Sequence, residues 1–122
     1  MDKTAEDLKD RTKRFTLKVL EFVETLPRTV GGCAVARQLS KAGLGVVGNY
    51  RSSCRARSHA AFTARLGVVL EEADESELWL DVSDEKQWGD AALRTWLVKE
   101  AGELLAIFSQ ACSTARARER RL

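Results

Sequence analysis

The sequence predicts an all-α protein, an antiparallel up-down-up-down four-helix bundle, and three observations carry that expectation. Apolar residues recur every three or four positions in four separate stretches, the period of one helical face. Leu and Ala are plentiful, β-branched runs are few and Pro27 is the single proline, a composition that favours helix. No stretch makes a strand candidate of any weight, and there is no internal repeat. A length of 122 residues, 44% of them apolar, suits one domain (1–122) with a modest core.

The first helix is expected over about 4–25, with Leu8, Phe15, Val19, Phe22 and Leu26 facing inward. Pro27 interrupts it, because proline lacks an N–H and disfavours helix at the residue before it; it can still open the next helix. The second helix is expected over about 29–57, with Val35, Leu39, Ala42, Val46, Tyr50 and Ser53 inward. Ser58 has the character of an N-cap for a third helix over about 58–82, whose inward residues are Phe62, Leu66, Val69, Ala73 and Leu80. "VSDEKQWGD", 82–90, reads as a turn with a glycine. The fourth helix is expected over about 91–116, with Leu93, Leu97, Leu104, Phe108 and Ala111 inward, and 117–122 as a frayed tail. Long amphipathic helices with short connections make sequential neighbours antiparallel.

Gly43, Gly45 and Gly48 in "AGLGVVGNY" have the spacing G-x-G-x-x-G. A dinucleotide site needs a strand before such glycines and a helix starting within them, but "CAVARQLSKA" is helical in pattern. A kinase loop needs a lysine strand and a catalytic loop, which this chain lacks. The spacing is better explained by packing. Glycine inside a helix costs about 1 kcal/mol against alanine, and close approach of a neighbouring helix, in the same chain or another subunit, compensates. Gly43, Leu44, Gly45, Gly48 and Tyr50 are therefore expected at a helix-packing or subunit seam.

The net charge of +2 conceals a segregated pattern. Residues 26–70 carry seven basic side chains (Arg28, Arg37, Lys41, Arg51, Arg55, Arg57, Arg65) and no acid, whereas 71–103 carry eleven acids against three bases. At about 100° per residue, Arg37, Lys41, Arg51 and Arg55 fall within an arc of about 80°, opposite Leu39, Val46 and Tyr50. A basic stripe of this kind is the electrostatic footprint of phosphate binding. The competing reading is a solvated face, or pairing with Glu71, Glu72, Asp74, Glu75 and Glu77 of the third helix.

Other chemistry finds little support. Cys33, Cys54 and Cys112 are far apart and His59 is the single histidine, so the paired ligands of a metal site are missing, and no cofactor or small-molecule substrate is expected. Glu71 with Glu75, and Asp74 with Glu77 and Asp81, share helix faces, but no nucleophile, base and stabiliser set accompanies them. Trp79, Trp88 and Trp96 fit packing better than base stacking. The charged N-terminus has no signal-peptide core and no apolar run approaches a membrane span, so a cytoplasmic protein without membrane association is expected.

"LPRTVGGCAVARQL", "GNYRSSCRARSHAAFTARLGVVLEEADESELWL" and "ELLAIF" together resemble a bacterial four-helix bundle family. That family includes proteins encoded in intervening sequences of 23S ribosomal RNA genes and the accessory variability determinant of diversity-generating retroelements. The resemblance spans about 17–116, with Gln38-Leu39, Asn49-Tyr50-Arg51, Ala56-Arg57-Ser58, Phe62, Leu66 and "EADES" before Trp79-Leu80 as its most specific pieces. It implies a homopentameric ring and, for the accessory determinant, binding of nucleic acid and a reverse transcriptase through basic surfaces. Two departures stand out. "AGLGVVGNY" replaces a small polar run resembling S-G-T-S-x-G-A-N-Y, and Ala61 stands where many members carry the Glu that completes a capping box with Ser58. The expected function is a non-enzymatic, oligomeric nucleic-acid-binding accessory protein using Arg37, Lys41, Arg51 and Arg55, assisted by Arg57, Arg65 and the C-terminal arginines. The alternative is a homo-oligomeric interaction scaffold, for example a reverse transcriptase partner, that touches no RNA or DNA.

Overall fold

Three polar side chains start three of the helices. Thr29 Oγ1 accepts from the Gly32 N–H at 3.1 Å, Ser58 Oγ from Ala61 N–H at 3.1 Å, and Asp90 Oδ2 from Leu93 N–H at 2.9 Å. Each satisfies an N–H that the first turn would otherwise orphan; Ser58 does so without the Glu that a capping box would place at Ala61. The computed structural model describes residues 3–121. It contains α1 (Lys3–Val23), α2 (Val30–Cys54), α3 (His59–Lys86) and α4 (Ala91–Arg120), and no strand among the described residues. α2 packs on α1 and α3, and α4 packs on α3 and α1, so the four helices enclose one core as a bundle.

The core is the set of inward faces that the period of 3.6 marks out. Phe15, Val19, Phe22, Leu39, Val46, Leu66, Val69, Leu80, Leu97, Leu104 and Phe108 are almost completely buried. Leu8, Phe62, Leu93 and Ala111 are half-buried; Leu8, Phe62 and Ala111 line a hollow at one end of the bundle. Between α1 and α4, Arg11 donates to both carboxylate oxygens of Glu100 at 2.8 Å and to Glu103 at 2.9 Å, and Arg14 lies 5.2 Å over the Trp96 ring.

Helix ends differ from expectation in four places. α1 stops at Val23, two residues early, and the chain turns before Pro27. α2 stops at Cys54 rather than 57, because Arg55 leaves helical geometry and the N–H groups of Arg55 and Ala56 close back on the Ser52 and Ser53 carbonyls, both at 3.1 Å. α3 runs through Val82 to Lys86, where a turn was expected. The reversal waits for Gln87 (φ 55°), and the N–H groups of Gln87 and Trp88 cap the Asp84 and Ser83 carbonyls at 3.1 and 2.9 Å. The glycine of this turn, Gly89, lies two residues further on with φ 77°. α4 continues to Arg120, so 117–120 is helix rather than a frayed tail; Leu122 lies outside the described residues.

Candidate nucleic-acid interface

The early end of α2 determines where the arginines go. Arg51 lies in its last turn, Arg55 caps it, Arg57 sits in the connection and Arg65 lies in the second turn of α3. All four line one open depression of about 620 Å³, together with Gly48, Ser52, Ala56 and Ala61. Nothing lies within 4 Å of the position a Gly48 Cβ would take, so within the chain this glycine serves no helix packing and leaves the rim open. Arg65 Nη1 donates to Asn49 Oδ1 at 3.0 Å, and Asn49 Nδ2 donates to the Gly45 carbonyl at 2.8 Å. That relay anchors one arginine to the backbone of α2. Arg51, Arg55 and Arg57 are exposed and make no ion pair among the described residues.

Two other basic groups converge on the same end. His59 Nε2 lies 2.9 Å from the Ala115 carbonyl oxygen, and Arg116 Nη2 lies 4.0 Å from where a Gly67 Cβ would be. The C-terminal part of α4 therefore runs beside the start of α3. It brings the exposed Arg116, Arg118 and Arg120, and Arg121 just past it, to the end where Arg51, Arg55, Arg57 and Arg65 gather.

Arg37 and Lys41 are not part of that cluster. They line a separate depression of about 490 Å³ with Val23, Glu24, Ala36, Ser40 and Leu44. Leu44 is 51% exposed, an apolar side chain beside two cations. The stripe expected along one helical face thus borders two depressions, one at Arg37 and Lys41 and one at Arg51 and Arg55. Asp74, Glu77 and Asp81 line yet another depression with Leu78 and Val98 and form no ion pair with the arginines. No group of three His, Cys, Asp or Glu among the described residues is placed to hold a metal ion. Trp79, Trp88 and Trp96 are half-buried against the core.

Gly43 and Gly45 each accommodate a neighbour. A Cβ at Gly43 would lie 3.2 Å from Val19 Cγ1, and the Gly43 carbonyl accepts from Thr16 Oγ1 at 3.0 Å, so α1 and α2 approach closely there. At Gly45 the neighbour is the Glu72 carboxyl, whose Cδ and Oε2 would lie 2.6 and 2.7 Å from a Cβ. Tyr50 is buried, its ring centroid 5.5 Å from that of Phe108. The seating of Glu72 on Gly45 had no signal in the sequence, where Glu72 reads as one of five third-helix acids able to pair with the basic stripe.

Glu72 Oε2 is buried without a hydrogen-bond partner among the described residues. Burial pushes its carboxyl up from the ordinary range; Glu75 adds to the rise, Lys41 opposes it and Glu71 adds further. The folded chain therefore keeps this proton at pH values where the unfolded chain has released it. The contribution of Glu72 to stability falls as pH rises from the ordinary carboxylate value through the raised one. Glu72→Gln is expected to melt above the wild type at pH 7, with the difference closing as pH falls below the ordinary carboxylate range. Thermal melts of both proteins across that range check it.

No protein-family model matches the sequence, and no curated protein does. Among solved structures, one match superposes with a TM-score of 0.76 at 20% sequence identity, covering 86% of this chain and 97% of the other. It is a Bacteroides thetaiotaomicron protein of unknown function from the S23 ribosomal protein family. The fold is similar to that one. At this identity the likeness concerns the path of the four helices, and it leaves the arginine cluster to be interpreted from its own chemistry.

The described helices include none long and apolar enough to cross a membrane. The Cys112 thiol is buried, donates to the Leu66 carbonyl at 3.5 Å and is pushed up by that burial. It belongs to the core rather than to a reactive site.

Proposed function

We propose that this chain is a non-enzymatic, oligomeric nucleic-acid-binding accessory protein, with phosphates held at the arginine-lined depression between α2 and α3. The observation that carries this reading is the gathering of Arg51, Arg55, Arg57 and Arg65 around one open hollow, three of them without an ion pair among the described residues. Arginine suits this role because its planar fork matches phosphate oxygens. The C-terminal arginines extend the basic end. Arg37 and Lys41 form a second, weaker contact zone. Recognition is sequence-tolerant, since phosphate contacts position a strand without reading its bases.

Several finer features belong to the same reading. An antiparallel up-down-up-down path is supported by the contact of His59 with Ala115 at one end of α3 and α4, and of Asp84 with Arg94 at the other. Assembly as a homopentameric ring rests on the family resemblance; it would repeat the basic end and add weak contacts through effective concentration. A role beside a reverse transcriptase rests on the same ground, and a cytoplasmic location on the charged N-terminal segment without a signal-peptide core.

The test is fluorescence anisotropy of labelled RNA and DNA across a salt series, with light scattering confirming equal assembly of the variants. Changing Arg51, Arg55 and Arg57 to Gln is expected to lower the log–log salt slope by about 2–3, at roughly 0.7–0.9 per lost phosphate contact. Changing Arg37 and Lys41 to Gln is expected to lower it less. Absence of binding by the wild type at about 50 mM salt, where phosphate contacts are strong, would discard the proposal.

A second reading is favoured by Leu44, half-exposed beside Arg37 and Lys41, and by the separate acidic depression around Asp74, Glu77 and Asp81. In it the chain is a homo-oligomeric scaffold, in which basic and acidic surfaces of neighbouring copies or of a protein partner meet. Dissociation of the assembly by Leu44→Glu, with no nucleic-acid binding at any salt, would select it.

A further inference from the structure

Beside the arginine depression lies a hollow of different character. It measures about 450 Å³ and its wall is largely apolar, with half-buried Leu8 of α1, Phe62 of α3 and Ala111 of α4 in front of the buried Tyr50, Leu66 and Phe108. Ser53 and Cys54 add polar atoms to its lining. Neighbouring residues of α2 divide between the two hollows: Arg51, Ser52 and Arg55 line the basic one, and Tyr50, Ser53 and Cys54 line the apolar one. Ala56 lines both, so the two hollows adjoin at the end of α2.

We infer that the apolar hollow receives one unstacked base of a single-stranded nucleic acid whose phosphates lie on Arg51, Arg55 and Arg57. The inference rests on the nucleic-acid reading above and names its substrate class. A phosphate and a base are joined in every nucleotide through one sugar, and the two hollows present their complements in the same order: cations, then an apolar recess with a half-buried aromatic ring at Phe62. Every base has a π-face, so such a recess accepts any base and discriminates strands by state rather than by sequence. A duplex keeps its bases paired and stacked, and extruding one costs a few kcal/mol. The arginines hold both forms, and the hollow adds affinity for the single strand alone.

Cys54 supplies the readout. It is half-buried and lines the hollow, whereas Cys33 is exposed near the other end of α2 and serves as an internal reference. The full chain is alkylated with iodoacetamide at saturating 12-nucleotide single strand or at saturating duplex of the same length, and each cysteine is followed by peptide mass spectrometry. The single strand is expected to slow Cys54 at least about fivefold relative to Cys33, and the duplex to slow neither; one stacked base contributes on that scale. Ala111→Phe, which fills the hollow from α4, is expected to weaken single-strand binding about tenfold and to leave duplex binding unchanged.

If both nucleic acids bind, binding falls when the arginines are changed, and Cys54 is unprotected or equally protected by both, the base recess is overturned and the phosphate site stands. If the wild type binds neither, both readings fall together. Should Ala111→Phe fail to fold, protection of Cys54 in the wild type decides by itself.

Discussion

Replacing Arg94 by methionine is expected to destabilise the protein by about 1–3 kcal/mol, the scale for leaving buried hydrogen-bonding groups without a partner, since the Asp84 carboxylate left behind is half-exposed. Arg94 is 5% exposed, although it carries a full positive charge. Its three nitrogens serve four acceptors: Nε donates to Asp84 Oδ1 at 3.0 Å, Nη1 to the Trp88 and Gly89 carbonyls at 2.8 and 3.2 Å, and Nη2 to Gln87 Oε1 at 3.1 Å. The residues it holds are those that reverse the chain between α3 and α4, including Gln87 in the left-handed region. Methionine fills a similar volume but donates nothing, so two backbone carbonyls lose a charged donor in a partly buried site. A loss of this size lowers the melting temperature by roughly 4–12 °C in a domain of this length. A thermal melt checks it. A drop of only 1–2 °C would mean that water replaces the guanidinium freely. Arg94→Lys separates charge from geometry, since a single ammonium cannot reach four acceptors in a fixed fork.

Gly32→Ala is expected to lower stability by about 2–3 kcal/mol, at the upper part of the range for overpacking. A Cβ there would overlap the Pro27 carbonyl oxygen and approach its carbon at 2.9 Å. The obstacle is backbone, which cannot swing aside as a side chain does. Pro27 in turn has a fixed φ. Gly32 also donates its N–H to the Thr29 cap at 3.1 Å, so any shift that relieves the overlap pulls on the start of α2. Gly48→Ala is the control, because its Cβ would meet open space and alanine is the better helix former. Denaturant unfolding is expected to give opposite signs for the two substitutions, with equal slopes if neither alters the compactness of the unfolded chain.

The four helices and their inward faces were legible in the sequence. Val35, Leu39, Ala42, Val46, Tyr50 and Ser53 were all placed inward by spacing, and all are buried. Ser58 was recognised as a cap, and it caps α3. The α3–α4 turn was expected over 82–90; 87–90 is turn, but 82–86 continues α3, because the reversal depends on Gln87 and on Arg94 reaching back to it. The candidate site was half legible. Arg51, Arg55, Arg57 and Arg65 were named from charge segregation, and helical geometry grouped Arg51 and Arg55 with Arg37 and Lys41, but the hollow that Arg51 and Arg55 share with Arg57 and Arg65 came only from the fold.

Sequence alone therefore determined what depends on residues within one or two turns of one another: periodicity, caps, the break at Pro27 and the sign of the charge along the chain. The tertiary structure decided what depends on residues far apart in sequence. It brought the arginines of α2 and α3 to the end where α4 carries Arg116, through a contact between His59 and Ala115. It seated the Glu72 carboxyl on Gly45, and it placed an apolar hollow beside the basic one, with Ala56 lining both. The physical reason is range. A helical period fixes which side of a helix is apolar, whereas the end at which charges meet is fixed by how four such sides pack together.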